Sequence, residues 1–289
     1  MEEIPLWYWL IVLFGTGACV GSFYNVIVYR MPRGISLLNP PSHCPICKKR
    51  IPLRYNFPIV GWIWLRGKSA CCKQPISIIY PIGEALCGLL GALALYAAAG
   101  FGADITKPML DPEKWATAAT LFWLLLGAYP VCAIDYKYKL IPDSISVGGI
   151  VAGLLISLIP GGVTPFQSVL GATVAGGGLY LLGWIATKLL KKDAMGFGDV
   201  KLLAGYGALM GLTCAVETLI VASLLGVILM VPYAKLMARK SKANKGRKNP
   251  PENEDAGQIP FGPFLAVTAP FMCLWGNQLF DFYLKFILE

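Results

Sequence analysis

The order of apolar and polar positions divides the chain into eight apolar segments, at about residues 7–29, 78–101, 116–134, 144–159, 166–187, 200–213, 215–237 and 263–287. Several reach the roughly 20 residues a helix needs to cross a bilayer. The sixth is short and rich in glycine, which predicts a half-span or a tightly packed helix. Two polar stretches stand out, 30–77 and 238–260. The pattern therefore predicts an all-α polytopic membrane protein of about eight transmembrane segments. It divides into a first transmembrane segment (1–29), a small Cys-bearing insertion (30–77) and a membrane core (78–289). The 238–260 loop is basic first and then acidic, contains Pro250-Pro251, and reads as a mobile linker within that core.

Composition agrees with the pattern. Hydrophobic residues make up 56% of the chain and charged residues 14%, where a soluble domain carries about 25% charged residues. The first five residues hold two Glu and no basic residue, so the first apolar segment is expected to stay as an anchor. The net charge of +9 describes orientation, not nucleic-acid binding. With the N-terminus outside, all of the 25 Lys and Arg except Lys107, Lys114 and Lys285 fall on the inner side.

Orientation bears on the chemistry. Met195-Gly196-Phe197-Gly198-Asp199-Val200-Lys201 opens the sixth segment, and Asp135 closes the third. A carboxylate at the mouth of a membrane helix marks a functional site unless it merely caps the helix. Lys and Arg alone place both acids at the inner face. That coincidence supports a pair, although 64 positions separate them. Gly196 and Gly198 would leave room for an extended substrate backbone, and a substrate's apolar helix is expected to lie beside the sixth segment. Asp143, before Ser144, is the rival to Asp135 and suits a helix N-cap. Glu84 is either functional or paired with a base such as Arg30. Glu217 reads as solvated at the outer interface. With one His there is no HExxH site, and no phosphate loop occurs. Two carboxylates sharing a proton suit peptide hydrolysis. The rival reading of Asp135, Asp199 and Glu84 is a proton or ion path.

The insertion holds nine Lys and Arg and no acid. It reads Cys44-Pro45-Ile46-Cys47, then Cys71-Cys72. This spacing predicts a zinc-ribbon-like staple for a loop with little core of its own. Ser69 stands where a regular second CxxC would need Cys, which leaves Cys71 or His43, the one His in the chain, as fourth ligand.

These motifs resemble the type IV prepilin peptidases, membrane aspartyl proteases of the GxGD type. The matching stretches are Ile134-Asp135 through Leu140-Ile141-Pro142-Asp143, Met195 through Leu203, and Gly21-Ser22-Phe23-Tyr24-Asn25-Val26 with Tyr29-Arg30-Met31-Pro32-Arg33. Tyr80-Pro81 with Glu84, the Cys-bearing loop and Ile259-Pro260-Phe261-Gly262-Pro263-Phe264 follow in order. The resemblance implies that Asp135 and Asp199 are catalytic, supported by Gly196, Gly198, Lys201 and Glu84. It implies cleavage of prepilin or pseudopilin leaders on the cytoplasmic side of the bacterial inner membrane. It also implies methylation of the new N-terminal residue with S-adenosylmethionine, although no methyl-donor site is recognisable. A peptidase without methylation is the alternative. Two departures are Ser69 and Ile79, which stands where the family commonly has Arg.

Overall fold

A computed structural model of the chain describes residues 4–37, 39, 41–191, 195–243 and 260–288. Most of the 238–260 linker therefore lies outside the described residues. Among those described, the regular structure is helical: α1 (Leu6–Arg30), α2 (Val60–Trp64), α3 (Ile79–Ala99), α4 (Pro112–Tyr138), α5 (Asp143–Ile156), α6 (Pro165–Leu190), α7 (Phe197–Ala243) and α8 (Gly262–Leu288), with two short 3₁₀ turns. The all-α expectation holds.

The ends of the helices follow from local chemistry. Asp111 accepts the amide of Glu113 at 3.0 Å and Pro112 fills the first position of α4. Thr164 and Gln167 cap α6 reciprocally, again with Pro at the first position. Lys139 ends α4 in the left-handed region, φ 56°, and Pro142 directs the chain into α5.

The span count differs from the expected eight. Five helices among the described residues are long and apolar enough to cross a membrane, and Asp143–Ile156 and Gly262–Gly276 are apolar but shorter. The sixth and seventh segments form one helix, α7, broken at Gly211, where φ is 82° and ψ 172°. Only glycine takes that conformation without strain. The part before the break, residues 197–210, is about 20 Å long at 1.5 Å per residue, short of the roughly 30 Å hydrocarbon core. That matches the expected half-span.

Lipid tails are as apolar as leucine, so close packing rather than expulsion of water holds such helices together. Small residues allow it. Gly17 and Gly21 of α1 sit against Cys87 of α3, and the backbones of Gly171 in α6 and Gly207 in α7 meet so closely that a Cβ on either has no space. Gly205 and Ala208 of α7 meet Gly149 and Gly153 of α5 in the same way. Leu202, Leu203 and Leu209 of α7 are buried together with Val131 and Ile134 of α4 and Leu265 of α8. The glycine-rich segment is thus enclosed by α5 and α6. The expected seat for a substrate helix beside it is taken by the protein's own helices.

Glu217 also departs from expectation. Its carboxylate oxygens are buried without a hydrogen-bond partner among the described residues and lie against Gly276 of α8. The seventh segment carries this acid inward because Gly276 leaves a space that only a residue without a Cβ provides.

Candidate active site

Asp135 lies in the last turn of α4 and is buried, 5% exposed. Its Oδ2 accepts the backbone N–H of Gly262, the first residue of α8, at 3.0 Å. Asp199 lies in the first turn of α7. It does not cap that helix by its position: two helical residues, Phe197 and Gly198, precede it. Its Oδ1 is buried and has no hydrogen-bond partner among the described residues.

Ile141 joins the two halves. A Cβ placed on Gly198 would stand 3.1 Å from Ile141 Cβ, and one on Gly262 would stand 3.1 Å from Ile141 Cδ1 and 2.8 Å from Asp135 Oδ2. The loop between α4 and α5, the start of α7 and the start of α8 therefore meet at one side chain. This revises the expected role of the glycines. The space beside Gly198 is filled by Ile141, and the nearest atom to a Cβ on Gly196 is Asp199 Oδ2, at 3.3 Å. Both glycines admit the protein's own side chains.

Asp143 does not cap α5. It is the first helical residue, with Pro142 at the N-cap position, and Lys201 Nζ binds its Oδ1 at 2.5 Å. Lys201 thereby ties α7 to α5 two residues beyond Asp199, with its ammonium also 5.2 Å from the centre of the Phe197 ring. Glu84 is buried in α3, and its Oε2 accepts the N–H of Ile59 at 2.7 Å. Ile59 has φ 61° and ψ −54° in a tight turn closed from Val60 N–H to Pro58 O. A β-branched residue rarely adopts that conformation. Glu84 thus fastens a strained turn of the insertion to the membrane core. Nearby, Tyr129 donates to Asn25 Oδ1 at 2.8 Å and Asn25 donates to the Tyr80 carbonyl at 3.1 Å.

The insertion folds as two knuckles. Lys48 N–H returns to Cys44 O and Lys73 N–H to Ser69 O, with both lysines at positive φ. Ser69 thus occupies in the second knuckle the place Cys44 holds in the first. The sulfurs of Cys44, Cys47, Cys71 and Cys72 all lie within 4.8 Å of one another. Tetrahedral zinc with bonds of about 2.3 Å needs sulfurs roughly 3.8 Å apart, so the four fit that ion. Cys71 supplies the sulfur that Ser69 lacks, and Ser69 Oγ instead lies 3.1 Å from Cys72 Sγ. His43 stays outside the group, with Nδ1 2.9 Å from the Pro41 carbonyl. The amides of Cys47 and then Ile46 hold the Cys44 thiol down at about 6, which favours the thiolate a metal requires. A hydrogen bond with Cys71 pushes the Cys47 thiol up to about 11.

A family model described as the type IV leader peptidase family matches residues 118–231, the part that carries both acids. A second, described as the bacterial peptidase A24 N-terminal domain, matches residues 16–98. A prepilin leader peptidase/N-methyltransferase of Stutzerimonas stutzeri is 32% identical over 93% of this chain and 92% of its own length. The chain belongs to the type IV leader peptidase family. Membership makes it an enzyme of the peptidase class. Relatives of the same name from Klebsiella pneumoniae, 37% identical over 74% of this chain and 91% of theirs, and from Pectobacterium carotovorum subsp. carotovorum, 31% over 93% and 94%, agree. No solved structure matches the chain. The transporter reading loses its ground, because the acids belong to the segment a peptidase family matches.

Ile141 and Gly262 are the contributors that sequence reasoning missed. One is apolar and the other acts through its backbone. The signal that could have found them was their place inside the two motifs that accompany the acids.

Proposed function

We propose that the chain is a membrane endopeptidase that removes the leader of type IV prepilins or pseudopilins at the cytoplasmic face of the bacterial inner membrane. On this reading Asp135 and Asp199 are the catalytic pair, and the chain also N-methylates the new terminus, as its relatives' shared name implies. The observation that supports it is that Gly198, next to Asp199, and Gly262, next to the Asp135 carboxylate, both stand against Ile141, although the two acids are 64 positions apart in the chain.

The chemistry follows from two close carboxyls that share one proton. The ionised carboxylate takes a proton from water as the water oxygen bonds to the scissile carbonyl carbon. The protonated carboxyl hydrogen-bonds the carbonyl oxygen, and as the C–N bond breaks a proton passes to the leaving amine. Asp135 at 5% exposure keeps competing water from the charge that develops.

The cytoplasmic insertion, residues 30–77, serves as a structural unit held by zinc on Cys44, Cys47, Cys71 and Cys72 and docked on the membrane core, residues 78–289, through Glu84. Zinc there supplies folding free energy and takes no part in hydrolysis. S-adenosylmethionine would supply the methyl group. The groove between α3 and α4, about 470 Å³ and lined by Leu86, Leu90, Leu125 and Cys132 among others, is too apolar to fit its charged end.

The test is purified protein in lipid, incubated with a prepilin with and without S-adenosylmethionine. Leader release in both samples, with the mature N-terminus methylated only when the donor is present, is expected. Release without methylation leaves a peptidase alone, and no release refutes the reading.

A further inference from the structure

α8 starts at the catalytic pair in an unusual manner. Phe261 precedes the helix, Gly262 is its first residue and Pro263 its second. The first amides of a helix have no partner within it. Pro263 has no N–H, and Phe264 N–H closes on Phe261 O at 3.1 Å. The Gly262 amide goes across 127 positions to Asp135 Oδ2. A donor at a helix start favours negative charge on its acceptor, both through the bond itself and through the aligned peptide dipoles behind it.

Asp199 has the opposite surroundings. Its Oδ1 is buried with no donor among the described residues. A buried carboxylate oxygen without donors is costly when ionised, whereas a buried carboxyl O–H needs only an acceptor, and the substrate's carbonyl oxygen is one.

We propose that the Gly262 amide fixes Asp135 as the ionised member of the pair. Asp135 takes the proton from water, and Asp199 carries the proton that polarises the scissile carbonyl. Gly262 is then a positioning residue: it acts through Asp135 and touches no reacting atom. Glycine is required there because a Cβ would lie 2.8 Å from Asp135 Oδ2, displacing the carboxylate from the amide that holds it. This division of labour rests on the reading of Asp135 and Asp199 as the catalytic pair.

Two reagents separate the roles in the full-length protein in lipid, independently of cleavage. An aryl glycidyl ether is opened by a carboxylate: the carboxylate oxygen bonds to the ring carbon, the ring C–O bond breaks, and the alkoxide takes a proton from water. A diazoacetyl amino acid ester takes its proton from a neutral carboxyl, loses dinitrogen and leaves an ester on that carboxyl. Mapping the labels by mass spectrometry should find the epoxide on Asp135 and the diazo-derived ester on Asp199. Reversed labelling, or equal labelling of both acids by both reagents, overturns the assignment. Gly262→Ala should lower kcat about a hundredfold with KM within about twofold, since it disturbs the charge and not substrate docking. An unchanged kcat also overturns it. If that variant fails to insert, labelling of the unaltered protein decides. Failure of the underlying pair is a different result, namely cleavage by Asp135→Asn or Asp199→Asn.

Discussion

At the scale of single residues, the site is defined as much by what glycine omits as by what the acids present. Gly198 leaves space for Ile141 at 3.1 Å, and Ile141 also stands beside Gly262. Gly198→Val should therefore push Ile141 into the pair and lower turnover about a hundredfold, the scale of a 1 Å misplacement. Adding Ile141→Ala should recover part of that loss. Recovery is the mark of residues in contact, which are non-additive, and a strictly additive double variant, assayed for leader cleavage, would count against the packing argument. Asp143 and Lys201 make a different case. The Asp143 side chain is 66% exposed, and exposed ion pairs contribute about 0–1 kcal/mol. Asp143→Asn should keep leader cleavage within a few-fold of the unaltered protein. Both acids of the pair were legible as residues, because a carboxylate at a membrane boundary is conspicuous. Ile141 was not, because an isoleucine among apolar residues carries no chemical signal. The partner of Asp143 lies 58 positions away, and no local pattern ties the two together.

At the scale of elements, the helices were placed well by hydropathy and their joints were not. The apolar runs became α1 and α3 to α8 nearly where expected, since an unbroken apolar stretch in lipid must satisfy its own backbone and so becomes helix. Hydropathy sets the boundary between two spans at residue 214, yet the chain is helical there and breaks instead at Gly211, with helix on both sides of it. Composition could not separate a break from a turn. Glu217 was misplaced for a related reason. Its position suggests solvent, and only the facing Gly276 of α8 makes room for it inside. Contacts between elements offer a test of how the insertion is held. The Glu84 carboxylate accepts the Ile59 amide at 2.7 Å, at a turn with φ 61°. Glu84→Ala removes the acceptor and lets that turn relax. Limited proteolysis should then cut within residues 50–66 several-fold faster, because local opening governs such cleavage. An unchanged digestion pattern would show that Glu84 does not fasten the insertion.

At the scale of the whole molecule, a membrane core carries the acids and a small insertion gathers four cysteine sulfurs within 4.8 Å of one another. The fourth ligand could not be chosen from spacing. In the two knuckles Ser69 and Cys44 occupy equivalent places, and it is Cys71, not His43, whose sulfur joins the group. Elemental analysis of protein purified without chelator should find about one zinc per chain. Cys71→Ser should lose it, and Ser69→Cys with Cys71→Ser should regain it by restoring a regular second pair. A chain that holds no zinc, or holds it equally well in Cys71→Ser, contradicts the staple. The claim on which everything else rests is that Asp135 and Asp199 act together. The most direct measurement is leader cleavage by Asp135→Asn, Asp199→Asn and Asp143→Asn, each in lipid at matched protein level. The account predicts no detectable cleavage by the first two and near-normal cleavage by the third, and substantial cleavage by either of the first two would contradict it.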